Sequence, residues 1–145
     1  MNKEEIKNHL YNDNTNEAIT YINSLTDEES LYVYAYNYNW DNGFSIPSAI
    51  LNNSNCTQSI ALLLFELADG FTYLETKESD DQLPEWSKFI GSLYNDIIKN
   101  KFLAGNVAYT PELSKVQLYK LKKLLSENET IFVTPIEGSN YNIYL

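Results

Sequence analysis

The apolar stretch between Ile60 and Ala68 constrains the fold more than any other part of the sequence. Glu66 is its only charged residue. A helix that is apolar on nearly all sides must be surrounded by protein, so we expect a buried central helix that begins near Thr57. Gly70 is expected to end this helix in the left-handed conformation. Since about 20 apolar residues are needed to cross a bilayer, the stretch indicates a globular core and not a membrane span.

Signals for three short helices precede this stretch, within residues 3–38. Each plausible cap is followed three residues later by a glutamate, in the pairs Asn2 and Glu5, Asn14 and Glu17, and Thr26 and Glu29. The third helix competes with a strand, because aromatic residues occupy every second position from Tyr32 to Trp40. We favour a helix, because Thr26 and Glu29 form a capping box at its start and because Leu31, Ala35 and Tyr38 share one helical face.

Prolines indicate where the later helices begin. Pro47 suits the first turn of a short helix capped by Ser45, and Pro84 opens a long amphipathic helix. Thr110 and Pro111 are expected to open a C-terminal helix that exposes four of the ten lysines. The apolar residues expected on the buried face of that helix are Val116, Leu118 or Tyr119, Leu121, Leu124 and Leu125.

The last residues of the chain have the composition of strands. Thr130–Thr134 and Tyr141–Tyr144 are rich in β-branched and aromatic residues and flank a turn at residues 137–140, which predicts a β-hairpin. The sequence therefore predicts a mainly α fold: a compact single domain over residues 1–145, loosely like a helical repeat, with about six to eight helices and a short C-terminal β-hairpin. Within it we distinguish a core at about residues 28–98 and a helix plus hairpin at about 107–145.

The charge distribution limits the class of partner. The chain carries a net charge of −10 and has no arginine. Residues 1–98 contain 16 acids and 4 lysines, whereas residues 99–145 contain 4 acids and 6 lysines. Such acidity repels nucleic acid and anionic membranes and attracts basic proteins. The segment from Glu75 to Gln82 holds four acids and one lysine, and we expect it to be an exposed loop that docks a cationic partner.

The inventory of catalytic residues is small. His9 and Cys56 are the only histidine and the only cysteine, so zinc sites that need two histidines are excluded and a thiol dyad is weakly supported. We predict no catalytic residues, no cofactor and no metal. The alternative is an enzyme of unknown type that uses two of the carboxylates of Asp41, Asp69 and Glu66 on a small ligand. A second alternative is a structural oligomer subunit.

One string of residues resembles a known family. It begins with Tyr38-Asn39-Trp40-Asp41-Asn42-Gly43-Phe44 and ends with Leu67-Ala68-Asp69-Gly70. This signature is similar to that of an uncharacterised bacterial family, a domain of unknown function, over about residues 28–98 and more weakly over residues 113–138. The resemblance implies a helical core and no established activity.

Trp40 is the leading candidate for contact with a partner, because exposed indoles anchor many interfaces. The alternative is a structural role, in which Gly43 adopts a positive φ, Asp41 caps backbone amides, and Trp40 and Phe44 pack on the core. The candidate partner-binding residues are Trp40, Asp41, Glu75, Glu78, Asp80, Asp81 and Glu85.

The composition resembles that of immunity proteins, which neutralise a cognate toxin. We therefore expect a non-enzymatic binding module for a basic protein such as a toxic nuclease. Acidic residues follow Lys3 where a signal peptide has basic and then apolar residues, so we expect a cytoplasmic location. The sequence does not indicate the oligomeric state.

Overall fold

The computed structural model describes residues 1–145 as eight α-helices and two 3₁₀ helices, without a β-sheet. The α-helices are α1 (Lys3–Leu10), α2 (Thr15–Ser24), α3 (Glu28–Asn37), α4 (Ser45–Asn52), α5 (Gln58–Leu67), α6 (Gly70–Thr76), α7 (Pro84–Ile98) and α8 (Lys115–Leu124). The 3₁₀ helices span Trp40–Asn42 and Glu127–Val133. The helical class predicted from the sequence is confirmed. None of these helices combines the length and the apolar character needed to cross a membrane.

Side-chain caps begin the first three helices. Asn2 accepts a hydrogen bond from the backbone of Glu5, and Asn14 accepts one from the backbone of Glu17. The third cap is Asp27, one residue later than predicted, and it accepts from both the backbone and the hydroxyl of Ser30. Each cap satisfies an N–H group that the first helical turn leaves free. Residues 28–37 are therefore helical despite their alternating aromatic residues.

Helix α5 lies at the centre of the molecule, as the sequence predicts. Its residues 60–65 are all at most 5% exposed. It packs against α3, α4, α6 and α7. The Phe65 ring also contacts that of Phe132 in the second 3₁₀ helix, with 4.6 Å between ring centroids. Burial of these side chains supplies the main favourable contribution to folding.

The end of α5 differs from the prediction for Gly70. Asp69, and not Gly70, adopts the left-handed conformation, with φ 63° and ψ 38°. Gly70 instead begins α6, where a Cβ atom would overlap the Phe65 ring. The glycine is needed here for close packing of α6 on α5, and aspartate is among the few non-glycine residues that tolerate the left-handed region.

The predicted C-terminal β-hairpin is absent, so that part of the fold prediction is wrong. Residues 130–133 lie in the second 3₁₀ helix and residues 141–144 have no regular structure. The helix forms because the Glu129 carboxylate accepts hydrogen bonds from the backbone and hydroxyl of Ser126. Residues 136–139 pair with the segment around Tyr109 through isolated bridges.

Helix α8 also departs from the prediction. It begins at Lys115, where Ser114 and Gln117 form a capping box, and not at Pro111. Leu121 is its only buried residue. Three apolar residues that were expected on the buried face are instead exposed by 55–62%: Val116, Tyr119 and Leu124. The reason is that α8 lies at the periphery, where its neighbours among the helices are α6 and the second 3₁₀ helix.

The Glu28 carboxylate joins α3 to the segment that follows α7. One oxygen accepts hydrogen bonds from the backbone N–H groups of Asn106 and Val107, at 2.7 and 3.1 Å. The other oxygen accepts from the Thr57 hydroxyl at 2.5 Å. Charge-assisted hydrogen bonds of this kind are stronger than neutral ones. Glu28 therefore holds residues 106–107 against the start of α5.

Candidate functional site

Trp40 and the loop between α6 and α7 line one groove of about 730 Å³. We call this loop, residues 77–83, the acidic loop. Trp40 comes from the first 3₁₀ helix, Asp69 from the junction of α5 and α6, and a third set of residues from the loop between α6 and α7. We call this surface the acidic groove. Its charged and indole side chains are Trp40, Asp69, Glu78, Asp80, Asp81 and Trp86.

Trp40 is half-buried within a cluster of aromatic rings. Its ring centroid lies 5.4 Å from that of Tyr38, 6.1 Å from that of Phe44 and 6.0 Å from that of Phe89. The Tyr38 hydroxyl donates to the carbonyl of Gly43, whose φ is 89°. The structural interpretation of the signature turn is thus confirmed for Trp40, Phe44 and Gly43. The Trp40 Nε1–H group is buried and has no hydrogen-bond partner.

Asp41 does not cap backbone amides, so this part of the structural interpretation is wrong. Its own backbone N–H donates to the Asn39 side chain, so Asn39 is the cap of this turn. Asp41 is exposed and lies outside the lining of the acidic groove. Of the two neighbouring signature residues, Trp40 alone therefore reaches the groove.

Trp86 lines the groove but is not among the candidate partner-binding residues predicted from the sequence. It lies in the first turn of α7, and its Nε1–H donates to the carbonyl of Ala68 at 2.7 Å. Its ring also contacts that of Tyr73 edge to face, with centroids 6.4 Å apart. The signal for this role was the short distance in sequence, because Trp86 lies four residues after Gln82 and two after Pro84.

Local hydrogen bonds shape the acidic loop. The backbone N–H of Asp80 donates to the Ser87 hydroxyl at 2.8 Å, and the Asp80 carboxylate accepts from the backbone of Gln82 at 2.9 Å. The backbone of Glu78 donates to the Thr76 hydroxyl at 3.2 Å. These contacts connect the loop to α6 and α7 while its carboxylates remain at the surface.

The one lysine of this loop does not neutralise its acids. Lys77 Nζ lies 2.9 Å from an oxygen of Glu129, on the second 3₁₀ helix. The lining of the acidic groove includes four carboxylates and no lysine. The groove therefore presents uncompensated negative charge beside two indole rings.

The remaining predicted site residues lie elsewhere. Glu75 is exposed on α6 and does not line the acidic groove. Glu85 lines a neighbouring hollow of about 520 Å³ together with Lys88, Asp96 and Lys101. The Asp96 and Lys101 side chains are 3.3 Å apart, so this hollow has charges of both signs.

The carboxylates of the enzyme alternative lie in different surroundings. Asp69 lines the acidic groove and accepts a hydrogen bond from the Thr72 hydroxyl. Glu66 instead accepts from the hydroxyl of Tyr109 and the backbone of Glu112, both at 2.9 Å. Burial and the adjacent Glu66 charge raise the pKa of Tyr109, so its hydroxyl stays a donor. Glu66 thus fastens residues 109–112 to α5.

The fold also determines whether the Cys56 thiol is reactive and whether side chains are placed to hold a metal ion. Burial raises the pKa of the Cys56 thiol to about 12. Because the thiolate is the reactive form, this cysteine is inert in the folded chain. No cluster of three or more histidine, cysteine, aspartate or glutamate residues is placed to hold a metal ion.

Comparison with known families identifies the central part of the chain. A family model described as a domain of unknown function (DUF4274) matches residues 26–98, just over half of the chain. The chain belongs to the DUF4274 family. The match covers α3 to α7 and thus includes every residue of the acidic groove. The prediction of an uncharacterised domain family is confirmed. No match is found among curated proteins or among solved structures.

Proposed function

We propose that this DUF4274 protein is a non-enzymatic binding module of the immunity type, which binds and neutralises a basic toxin such as a nuclease. The observation that carries the proposal is the acidic groove, where four carboxylates and two indole rings meet without a lysine. We further propose that it acts in the cytoplasm of a bacterial cell, where an immunity protein would protect its own producer.

The groove offers two kinds of interaction to a basic protein. Its carboxylates attract positive charge over a distance, which raises the rate of association. Its indole rings offer apolar area to lysine or arginine stems, and their faces attract the cationic groups themselves. Trp40 also has a buried Nε1–H group that lacks a partner. We expect charge to control the association rate and the aromatic rings to control the lifetime of the complex.

A capture experiment with paired variants tests the charge argument. The bait is the full chain, compared with Asp80→Lys/Asp81→Lys in the groove and with Glu4→Lys/Glu5→Lys on α1. Both double variants change the net charge equally, and all four residues are exposed. A basic protein captured by the wild type and by the α1 variant, but lost with the groove variant, supports the proposal. Equal loss with both variants would indicate a non-specific charge effect.

The second step tests neutralisation. The captured protein is expressed alone and together with the wild type or the groove variant, and cell growth is measured. We expect growth arrest that the wild type relieves and the groove variant does not. A captured protein that is harmless when expressed alone would refute the immunity function.

The salt dependence of binding is a further test of the charge argument. The captured protein should bind in about 0.1 M salt and be released in about 1 M salt, where the Debye length falls to ~3 Å.

A further inference from the structure

A second cavity lies beside the turn at residues 38–44, and Trp40 does not line it. It has a volume of about 370 Å³ and is more enclosed than the acidic groove. The end of α1, the loop to α2, α3 and the first 3₁₀ helix form its walls. We call it the amide pocket after its main polar side chains, which are His9, Asn12, Tyr34, Asn37, Asn39 and Asn42.

Two polar groups that line the amide pocket lack a partner within the chain. The Tyr34 side chain is 1% exposed, and its hydroxyl makes no hydrogen bond to another residue. His9 Nδ1 is buried and also unpartnered. Its ring stacks on Tyr21, with 4.1 Å between centroids, so the imidazole is held in place. Buried polar groups in native proteins are usually hydrogen-bonded, so the unpartnered His9 Nδ1 atom beside an open cavity indicates that something else binds there.

Several amides of the pocket also have unused hydrogen-bonding capacity. Both N–H bonds of Asn37 are directed to carbonyls, of Val33 and Ile143, which leaves its oxygen free. The Asn39 oxygen caps the turn, which leaves its NH₂ group free. The side-chain oxygen and NH₂ group of Asn42 make no hydrogen bond within the chain. The pocket therefore offers both donors and acceptors to a ligand.

The charge of the pocket defines the ligand class. No lysine lines it, and its one carboxylate is the exposed Asp13. A phosphate or carboxylate would find no cation, and an amine would find one acid that is open to solvent. Burial raises the pKa of Tyr34 to about 12, so its hydroxyl is a neutral donor at physiological pH. The volume falls within the range of about 300–1,000 Å³ that is usual for small-molecule sites.

We propose that the amide pocket binds a small neutral ligand rich in hydroxyl or amide groups, of the size of a monosaccharide. Tyr34 and the Asn37, Asn39 and Asn42 amides would form its hydrogen bonds, and the rings of Tyr11 and Tyr38 lie beside them in the wall. This site is separate from the acidic groove, whose carboxylates are not among its residues.

His9 provides a direct readout, because it is the only histidine and its ring signals in an NMR spectrum need no further assignment. The full chain is titrated at constant pH with three neutral probes, D-glucose, N-acetyl-D-glucosamine and D-ribose. D-Glucose 6-phosphate and D-glucosamine are the charged analogues. We expect a saturable shift of the His9 signals with at least one neutral probe, at a Kd below about 1 mM.

Variants distinguish a built site from unspecific contact. Tyr34→Phe removes only the hydroxyl, and Asn42→Ala removes a free amide. Each should weaken binding about three- to tenfold, as expected for one hydrogen bond. Asn23→Ala, an exposed asparagine of α2 outside the pocket, is the matched control and should leave the Kd unchanged. Equal melting temperatures of the variants show that the fold is intact.

Three results would overturn the proposal. The first is the absence of a His9 shift with all neutral probes at millimolar concentration. The second is equal or tighter binding of the charged analogues. The third is the same affinity in Asn42→Ala as in Asn23→Ala. The Asp80→Lys/Asp81→Lys variant should bind the sugar normally, so failure here and failure of toxin binding can be distinguished.

Discussion

Glu129 should give this protein a large acid-sensitive contribution to stability. It is 3% exposed and accepts hydrogen bonds from Tyr94, Lys77 and Ser126 at 2.5–2.9 Å. Burial by itself would raise the pKa of Glu129, but these hydrogen bonds outweigh it and lower the pKa from 4.5 to about 2. A difference of this size corresponds to about 3 kcal/mol of folding free energy at neutral pH.

The stability of the protein should decrease as the pH falls, because folding lowers the pKa of Glu129. Because the pKa is lower in the folded chain, the stabilisation is complete above about pH 5 and is lost as the pH falls from 4.5 towards 2. Glu129→Gln keeps the shape but removes the charge. We expect this variant to be less stable than the wild type by about 3 kcal/mol at pH 7, and by much less near pH 2.

Urea denaturation followed by circular dichroism at pH 7, 5, 4, 3 and 2 measures the two free energies of unfolding. Glu127→Gln is the matched control, because Glu127 is exposed on the same 3₁₀ helix and should change stability by less than about 0.5 kcal/mol. A wild-type advantage over Glu129→Gln that stays constant between pH 7 and pH 2, or that is below about 1 kcal/mol at pH 7, would refute the reasoning.

Three further experiments test other features of the fold. Gly70→Ala should lower the free energy of unfolding by about 2 kcal/mol because its methyl group meets Phe65, whereas Gly91→Ala, with no contact closer than 4.0 Å, should not; thermal denaturation compares them. Asn53→Ala should cost about 2 kcal/mol in urea denaturation, since the buried Asn53 amide donates to two carbonyls at 2.9 Å, and the exposed Asn52→Ala serves as control. Cys56 should react with Ellman's reagent only in denaturant, and rapid reaction of the native chain at pH 8 would contradict its burial and its pKa of about 12.

Local signals in the sequence were sufficient for the first half of the fold. The caps at Asn2 and Asn14 act within three residues, so a short window reveals them. The alternating aromatic residues before Trp40 could have indicated a strand, but the cap and the buried face of α3 favoured the helix. The apolar character of α5 was informative for a different reason, because such a segment has no solvated face in any orientation.

Long-range contacts explain where the sequence was misleading. Thr130–Thr134 has strand composition, but Glu129 receives hydrogen bonds from Tyr94 and Lys77, which lie at least 35 residues away. The Ser126–Glu129 capping box lies within a short window and was missed, whereas no window around residue 130 contains the contacts with Tyr94 and Lys77. The acidic groove was only partly foreseen for the same reason. Trp40 and Asp80 were each named, but only tertiary packing brings them together with Trp86 and Asp69.

The carboxylates of Glu28 and Glu66 show that the part of the chain matched by the family model and the part that folds as one unit have different limits. Both residues belong to the DUF4274 match at residues 26–98, yet their hydrogen-bond donors include backbone groups at 106, 107 and 112. Phe65 likewise packs on Phe132. A fragment cut at the family boundary would expose an aromatic ring and leave both carboxylates short of donors. A protein that carries this domain with a different C-terminal extension would therefore need that extension to supply equivalent donors and an equivalent apolar cover.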